Sequence, residues 1–269
     1  MAVLLLPGSA LSAGAGTITM KTETRAVLEA GTLAVQINVL NSGDETARSV
    51  MAAASFGGRD VHGEARAALP PGTAMDVVLR LPWTPGKGQW PLTSTIDYTD
   101  GRGYALQALH VALVSSTDAA PALVAIVDFT MDPVVTSGNL IVRLKNLSPL
   151  SQDARLSFSV PLGLEVENPV RPLFLEPWGD AEVKARIVNR TALAGSRYVA
   201  FAVVEYDDGE GHHAALARGA VEIRGAGTTR GRSLLFTAAA LTTAWILFMA
   251  WRRRQDRRGG SPPSAAPVT

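Results

Sequence analysis

The chain has 269 residues, no cysteine, and 25 basic against 24 acidic side chains, a formal charge of +1. That balance offers no basic stripe for nucleic acid, and the missing thiols exclude disulfides, thiol catalysis and cysteine-ligated zinc. Length and a 47% apolar composition leave room for two domains, each with its own core.

Residues 1–16, MAVLLLPGSALSAGAG, join a short apolar run to small residues with an Ala-x-Ala pattern at Ala13-Gly14-Ala15. This is the pattern of a secretory signal and its cleavage site. It is a weak one, because no Lys or Arg precedes the run and Pro7 interrupts it. A first strand or an unstructured tail is the competing reading. From residue 32 the chain alternates. Leu33, Val35, Ile37 and Val39 share one face, with Gln36 and Asn38 on the other, the period of a half-buried strand. Asn41-Ser42-Gly43-Asp44 is a turn, 47–56 a second strand, Leu69-Pro70-Pro71-Gly72 a break and 74–81 a third strand. A Pro/Gly loop over 83–88 leads into a strand at 89–98, a hairpin turn at 99–103 and a return strand at 104–114.

The same order then recurs. Strands are predicted at 123–131, 139–146, 154–160, 181–188, 198–206 and 214–223, and Leu175-Glu176-Pro177-Trp178-Gly179 answers Leu69-Pro70-Pro71-Gly72. The duplication is most visible at the last hairpin, where residues 96–104 (IDYTDGRGY) match 204–212 (VEYDDGEGH). Short strands with Gly/Pro turns and almost no helical period mean β-sandwiches, and seven or so strands per hundred residues suit an immunoglobulin-like arrangement. The predicted units are 17–116 and 120–225, with a short linker at 115–121 that restricts their angle. This succession of alternating strands, Asn-Ser-Gly-Asp, Leu-Pro-Pro-Gly, Trp-x-Pro-Gly and Tyr-x-Asp-Gly resembles the bacterial Ig-like modules of the CARDB and NEW3 type. The resemblance covers about residues 20–225. It implies spacers, adhesion surfaces or carbohydrate-proximal platforms on membrane-anchored envelope proteins, and it brings no catalytic residues.

Residues 233–251, SLLFTAAALTTAWILFMAW, carry no charge. As a helix they cover about 28 Å, close to the hydrocarbon core of a bilayer. Arg252, Arg253, Arg254, Arg257 and Arg258 follow at once, against Arg224, Arg230 and Arg232 ahead. The heavier side belongs in the cytoplasm, so the body is expected outside, periplasmic or extracellular. A buried core helix is the competing reading, opposed by the missing polar face. A tail anchor with a cytosolic body is another. Residues 252–269 read as a basic stop-transfer flank and a disordered tail.

Candidate chemistry is sparse. Asp207, Asp208, Glu210, His212 and His213 cluster at the second hairpin. Adjacent histidines point to opposite faces of a strand, and a solvated Asp-Gly turn explains the rest. His62 and His110 stand alone, and no G-x-S-x-G or phosphate loop occurs. No catalytic residue, cofactor or metal is expected. Ligand contacts are sought at Trp83, Trp90 and Trp178, a sugar-stacking platform if they share a face, and at Tyr98 and Tyr206, which occupy matching positions beside Asp97 and Glu205. The tyrosines packing a corner is the simpler account. Asn146-Leu147-Ser148 and Asn189-Arg190-Thr191 fit the glycosylation sequon.

The expected protein is therefore all-β, two tandem immunoglobulin-like β-sandwich domains followed by one transmembrane α-helix. It is non-catalytic, anchored in lipid through 233–251, and presents its domains to another envelope or membrane protein. The alternative is a glycan-binding accessory subunit of a cell-wall or exopolysaccharide system. An enzyme with converging carboxylates or histidines is the third reading.

Overall fold

The computed structural model describes residues 17–29, 31–83, 86–116 and 119–225. Residues 1–16, the apolar stretch 233–251 and the arginines at 252, 253, 254, 257 and 258 lie outside the described residues. Among the described residues no helix is long and apolar enough to cross a membrane, and every regular element is a strand.

Period-two alternation builds the first sandwich. β1 (Met20–Glu29), β2 (Thr32–Asn41) and β6 (Ala74–Pro82) form one sheet, in the order β1-β2-β6. The other sheet has the order β4-β3-β7-β8, from β3 (Ala47–Phe56), β4 (Arg59–His62), β7 (Gln89–Thr99) and β8 (Ala105–Ser115), and β5 (Arg66–Leu69) also pairs with β3. Leu33, Val35, Ile37 and Val39 from β2 meet Val50, Ala52, Leu92 and Ile96 from the facing sheet in one buried cluster. The second sandwich repeats the plan. β9 (Val124–Met131), β10 (Ser137–Asn146), β12 (Leu164–Val166) and β14 (Asp180–Asn189) make one sheet, β12-β14-β10-β9. The other, β13-β11-β15-β16, is made by β11 (Gln152–Ser159), β13 (Val170–Leu175), β15 (Arg197–Asp208) and β16 (Gly211–Glu222). Its cluster centres on Leu140, Val142, Leu144, Leu156 and Ile187. In both sandwiches, of the six strands with eight residues or more, the first, second and fourth oppose the third, fifth and sixth, the A-B-E against C-F-G division of immunoglobulin-like sandwiches.

A buried asparagine fixes the same corner twice. Asn41 and Asn146 end equivalent strands and are fully shielded from solvent. Asn41 Nδ2 donates to the carbonyls of Glu45 and Leu69, and its Oδ1 accepts from Gly43 N. Asn146 Nδ2 donates to the carbonyls of Leu150 and Glu176, and its Oδ1 accepts from Ser148 N. A buried amide so used is satisfied and locks two turns together. The same burial leaves no room for a sugar on Asn146 in the folded chain.

Both sandwiches fall within one compact unit that ends at Arg224. The start of β7 meets the start of β16 through the Gly88–His212 bridge. At the other end Leu162 N, beyond β11, donates to Gln107 Oε1 near the start of β8. The two sandwiches therefore lie side by side and head to tail, each offering its C-F-G sheet.

Candidate functional site: the face between the two sandwiches

The middle of this face is apolar. Val111 of β8 packs with Phe201 and Val203 of β15 and Ala214 of β16, all buried, and Leu109, Leu113, Val199 and Leu216 surround them. Odd-numbered residues of β15 thus turn toward the first sandwich, while Ala202, Val204 and Tyr206 turn into the core of the second. This is why residues 200–204 are buried without a break: the strand has two covered faces.

One end of the face is closed by a clasp. His212 N donates to the Lys87 carbonyl at 3.0 Å, and Lys87 Nζ meets Glu210 Oε2 at 3.1 Å. Backbones come this close only because glycines face each other. A Cβ on Gly88 would collide with the His212 backbone, and one on Gly211 with the Lys87 carbonyl. The His212 ring lies parallel to Trp90, with centroids 5.6 Å apart and planes 6° from parallel. Trp90 in turn meets Trp83 edge to face at 4.9 Å, and Trp83 meets Phe56 at 4.8 Å. His212 Nδ1 sits 2.8 Å from Asp207 Oδ1, and Nε2 sits 3.3 Å from Glu205 Oε1. Carboxylates only accept, so both bonds require the doubly protonated ring. The bond to Glu205 raises the His212 pKa above the usual histidine value, with Asp207 adding to it against burial. Burial pushes Glu205 up, but His212 and Arg155 together outweigh it and hold it below the usual value. An imidazolium over an indole face adds cation–π attraction.

The opposite end is open. A groove of about 740 Å³ runs between the sandwiches. Tyr98 of the first sandwich and Tyr198 of the second line it, together with His110, Phe201 and Arg218. Burial, followed by the neighbouring Tyr198, pushes the Tyr98 hydroxyl up to about 12. Burial, followed by Arg218, lowers His110 below the usual histidine value.

The expected contact residues thus separate. Trp83 and Trp90 join in the clasp, while Trp178 stands in the turn after β13 of the second sandwich, 58% exposed and at φ 58°. They form no common platform. Tyr206 is a corner residue: it is buried, its hydroxyl accepts from Leu123 N at 2.6 Å, and its ring stacks on His213. Tyr98, its match, likewise packs against its own sandwich's core, and it also lines the groove. Adjacent His212 and His213 do point to opposite faces, His213 Nε2 donating to Asp208. Among the described residues no three His, Asp or Glu side chains are placed to hold a metal ion. His110, read as isolated, lies against Phe201 of the other sandwich at 6.4 Å. The signal that marks the clasp is the divergence of the repeats, His212 standing where the first hairpin has Tyr104.

No protein-family model matches the chain, and neither does any curated protein. Among solved structures, red sea bream transglutaminase is 14% identical with a TM-score of 0.28, over 77% of this chain and 31% of that one. Escherichia coli alpha-2-macroglobulin in its native conformation is 13% identical with a TM-score of 0.32, over 78% of this chain and 17% of its own. A GH2 beta-galacturonidase from Eisenbergiella tayi is 15% identical with a TM-score of 0.30, over 72% and 36%. This chain therefore spans little more than a third, or less, of each. Likenesses at these scores carry no argument about function, and the all-β sandwich fold rests on the strand order itself.

Proposed function

We propose that this is a non-catalytic, single-span envelope protein whose two Ig-like domains, of the CARDB or NEW3 type, form one rigid body presented to another envelope or membrane protein. The observation that carries the reading is the buried face between the sandwiches. Val111, Phe201, Val203 and Ala214 shield one another there, so the pair acts as a unit rather than as beads on a string. Behind that unit the sequence places an uncharged stretch at 233–251 followed by five arginines. A tether of that kind raises the local concentration of the body for a membrane-bound partner. The test is alkaline carbonate extraction of native membranes, combined with protease added to intact cells or spheroplasts. The full chain is expected to stay with the lipid while the body is cleaved from outside. Release by carbonate, or a body protected from protease, overturns the proposal.

The second reading, a glycan-binding accessory subunit, is favoured by the open groove. Its lining brings aromatic faces, hydroxyls and arginines together, the mixture that holds a polar ligand with apolar sides.

A further inference from the structure

The two ends of the face between the sandwiches are related by the internal repeat, yet only one is closed. Trp90 and His212 make the clasp, and at the related positions of the other end stand Tyr198 and Tyr104. Tyr198 lines the groove, while Tyr104 is exposed. Where one end has a backbone bridge and a stacked ring pair, the other has about 740 Å³ of space, within the range of small-ligand sites.

Its chemistry is specific. Tyr198 accepts from Leu193 N through its hydroxyl oxygen, leaving its own proton free to donate. Tyr98 keeps its proton far into the basic range. Thr22 Oγ1 and His110 Nδ1 belong to residues that line the groove, are shielded from solvent and have no hydrogen-bond partner among the described residues. Buried polar atoms without partners cost about 1–3 kcal/mol each, and such groups mark places where a ligand or water completes the structure. Charge is uneven as well. Glu45 is engaged by Gly101 N, and Asp100 by the amides of Arg102 and Tyr104. Lys21, Arg197 and Arg218 have no ion pair among the described residues, and of the remaining carboxylates that line the groove Glu23 stands alone against them.

We infer that the groove between β1, β8 and β15 binds a short acidic saccharide, its hydroxyls taken by Tyr98, Tyr198, Thr22 and His110, its apolar ring face by a tyrosine, and its carboxylate by Arg218 and Arg197. The inference deepens the glycan reading and rests on it, and it is independent of the membrane tether.

Calorimetric titration of the full chain in detergent tests it, with a hexuronic-acid disaccharide, its neutral hexose counterpart, inorganic phosphate and an acidic hexapeptide as probes. The acidic disaccharide is expected to bind at least about tenfold more tightly than the neutral one, since a charged partner roughly doubles a hydrogen bond. Arg218→Ala, at an exposed side chain, removes that preference without moving the melting temperature. Tyr98→Phe weakens both sugars about fivefold, the worth of one hydrogen bond. Thr22→Val does the same while raising the melting temperature, because it removes an unpartnered buried hydroxyl; a purely structural threonine gives no such opposition. If neither sugar binds, the glycan reading itself falls. If the sugars bind but Arg218→Ala, Tyr98→Phe and Thr22→Val leave the affinity unchanged, the glycan reading stands and its placement in this groove is overturned. Equal affinity for the neutral sugar, for phosphate alone or for the acidic peptide also overturns the inference.

Discussion

Phe201→Ala separates the two sandwiches thermodynamically. Phe201 is 3% exposed and turns to Val111 and His110 of the first sandwich rather than into its own core. Deleting a buried phenylalanine ring costs about 3–5 kcal/mol. Here the loss falls on the contact between sandwiches, so the ratio of docked to undocked forms drops by about two to four decades, at about 1.4 kcal/mol per decade. Phe158→Ala is the matched control, since Phe158 is comparably buried but packs within the second sandwich. Differential scanning calorimetry is expected to show one cooperative transition for the natural chain. Phe201→Ala splits it in two, whereas Phe158→Ala lowers the second sandwich without splitting beyond what that loss requires. Hydrogen exchange supplies the second readout, because β8 is an edge strand of its sheet and its amides lose their cover once undocked. A single transition with an unchanged midpoint, together with unchanged exchange in β8, refutes the reasoning.

The clasp carries a pH signature. His212 has a raised pKa, so its contribution is complete below 6.5 and is lost as pH climbs through the higher folded value. Glu205 has a lowered pKa, so its contribution is complete above 4.5 and is lost as pH falls through the lower folded value. The difference in melting temperature between the natural chain and His212→Gln is therefore greatest between these two values and shrinks on both sides; a flat difference contradicts the assignment. Gly88→Ala drives a methyl into the His212 backbone and is expected to destabilise by at least about 1–3 kcal/mol by denaturant titration. Gly209→Ala, where nothing lies within 4 Å, is close to neutral. Asn41→Ala and Asn146→Ala each leave buried carbonyls unpaired, at about 1–3 kcal/mol per group. Calorimetry of the two variants is expected to show matching losses, each confined to its own sandwich.

The alternation of β2 was legible residue by residue, and β2 and β3 have the bounds read from the sequence, 32–41 and 47–56. β1 was hidden because its inward positions include Thr22 and Thr24, hydroxyls where apolar side chains mark a strand. β4, β5 and β12 have three or four residues each, too few for a period to register. The duplication was readable from its turns, and the pairing of the halves was not. Trp90 and His212 are far apart in sequence, and nothing in either local pattern says that they stack. The run of buried residues from Ala200 to Val204 held the one clue, an alternation that fails because both sides of the strand are covered. The groove depends on that pairing, so its lining residues could not be gathered before the pairing was known.

The head-to-tail arrangement has a consequence for self-association. An isolated sandwich would leave the apolar side chains on its C-F-G sheet bare to a second molecule. This chain fills that surface with its own other half. A short connection around residue 116 replaces a concentration-dependent equilibrium with an effective concentration in the millimolar range. Dilution then leaves the pair intact, and the surfaces left for other molecules are those that duplication made unequal.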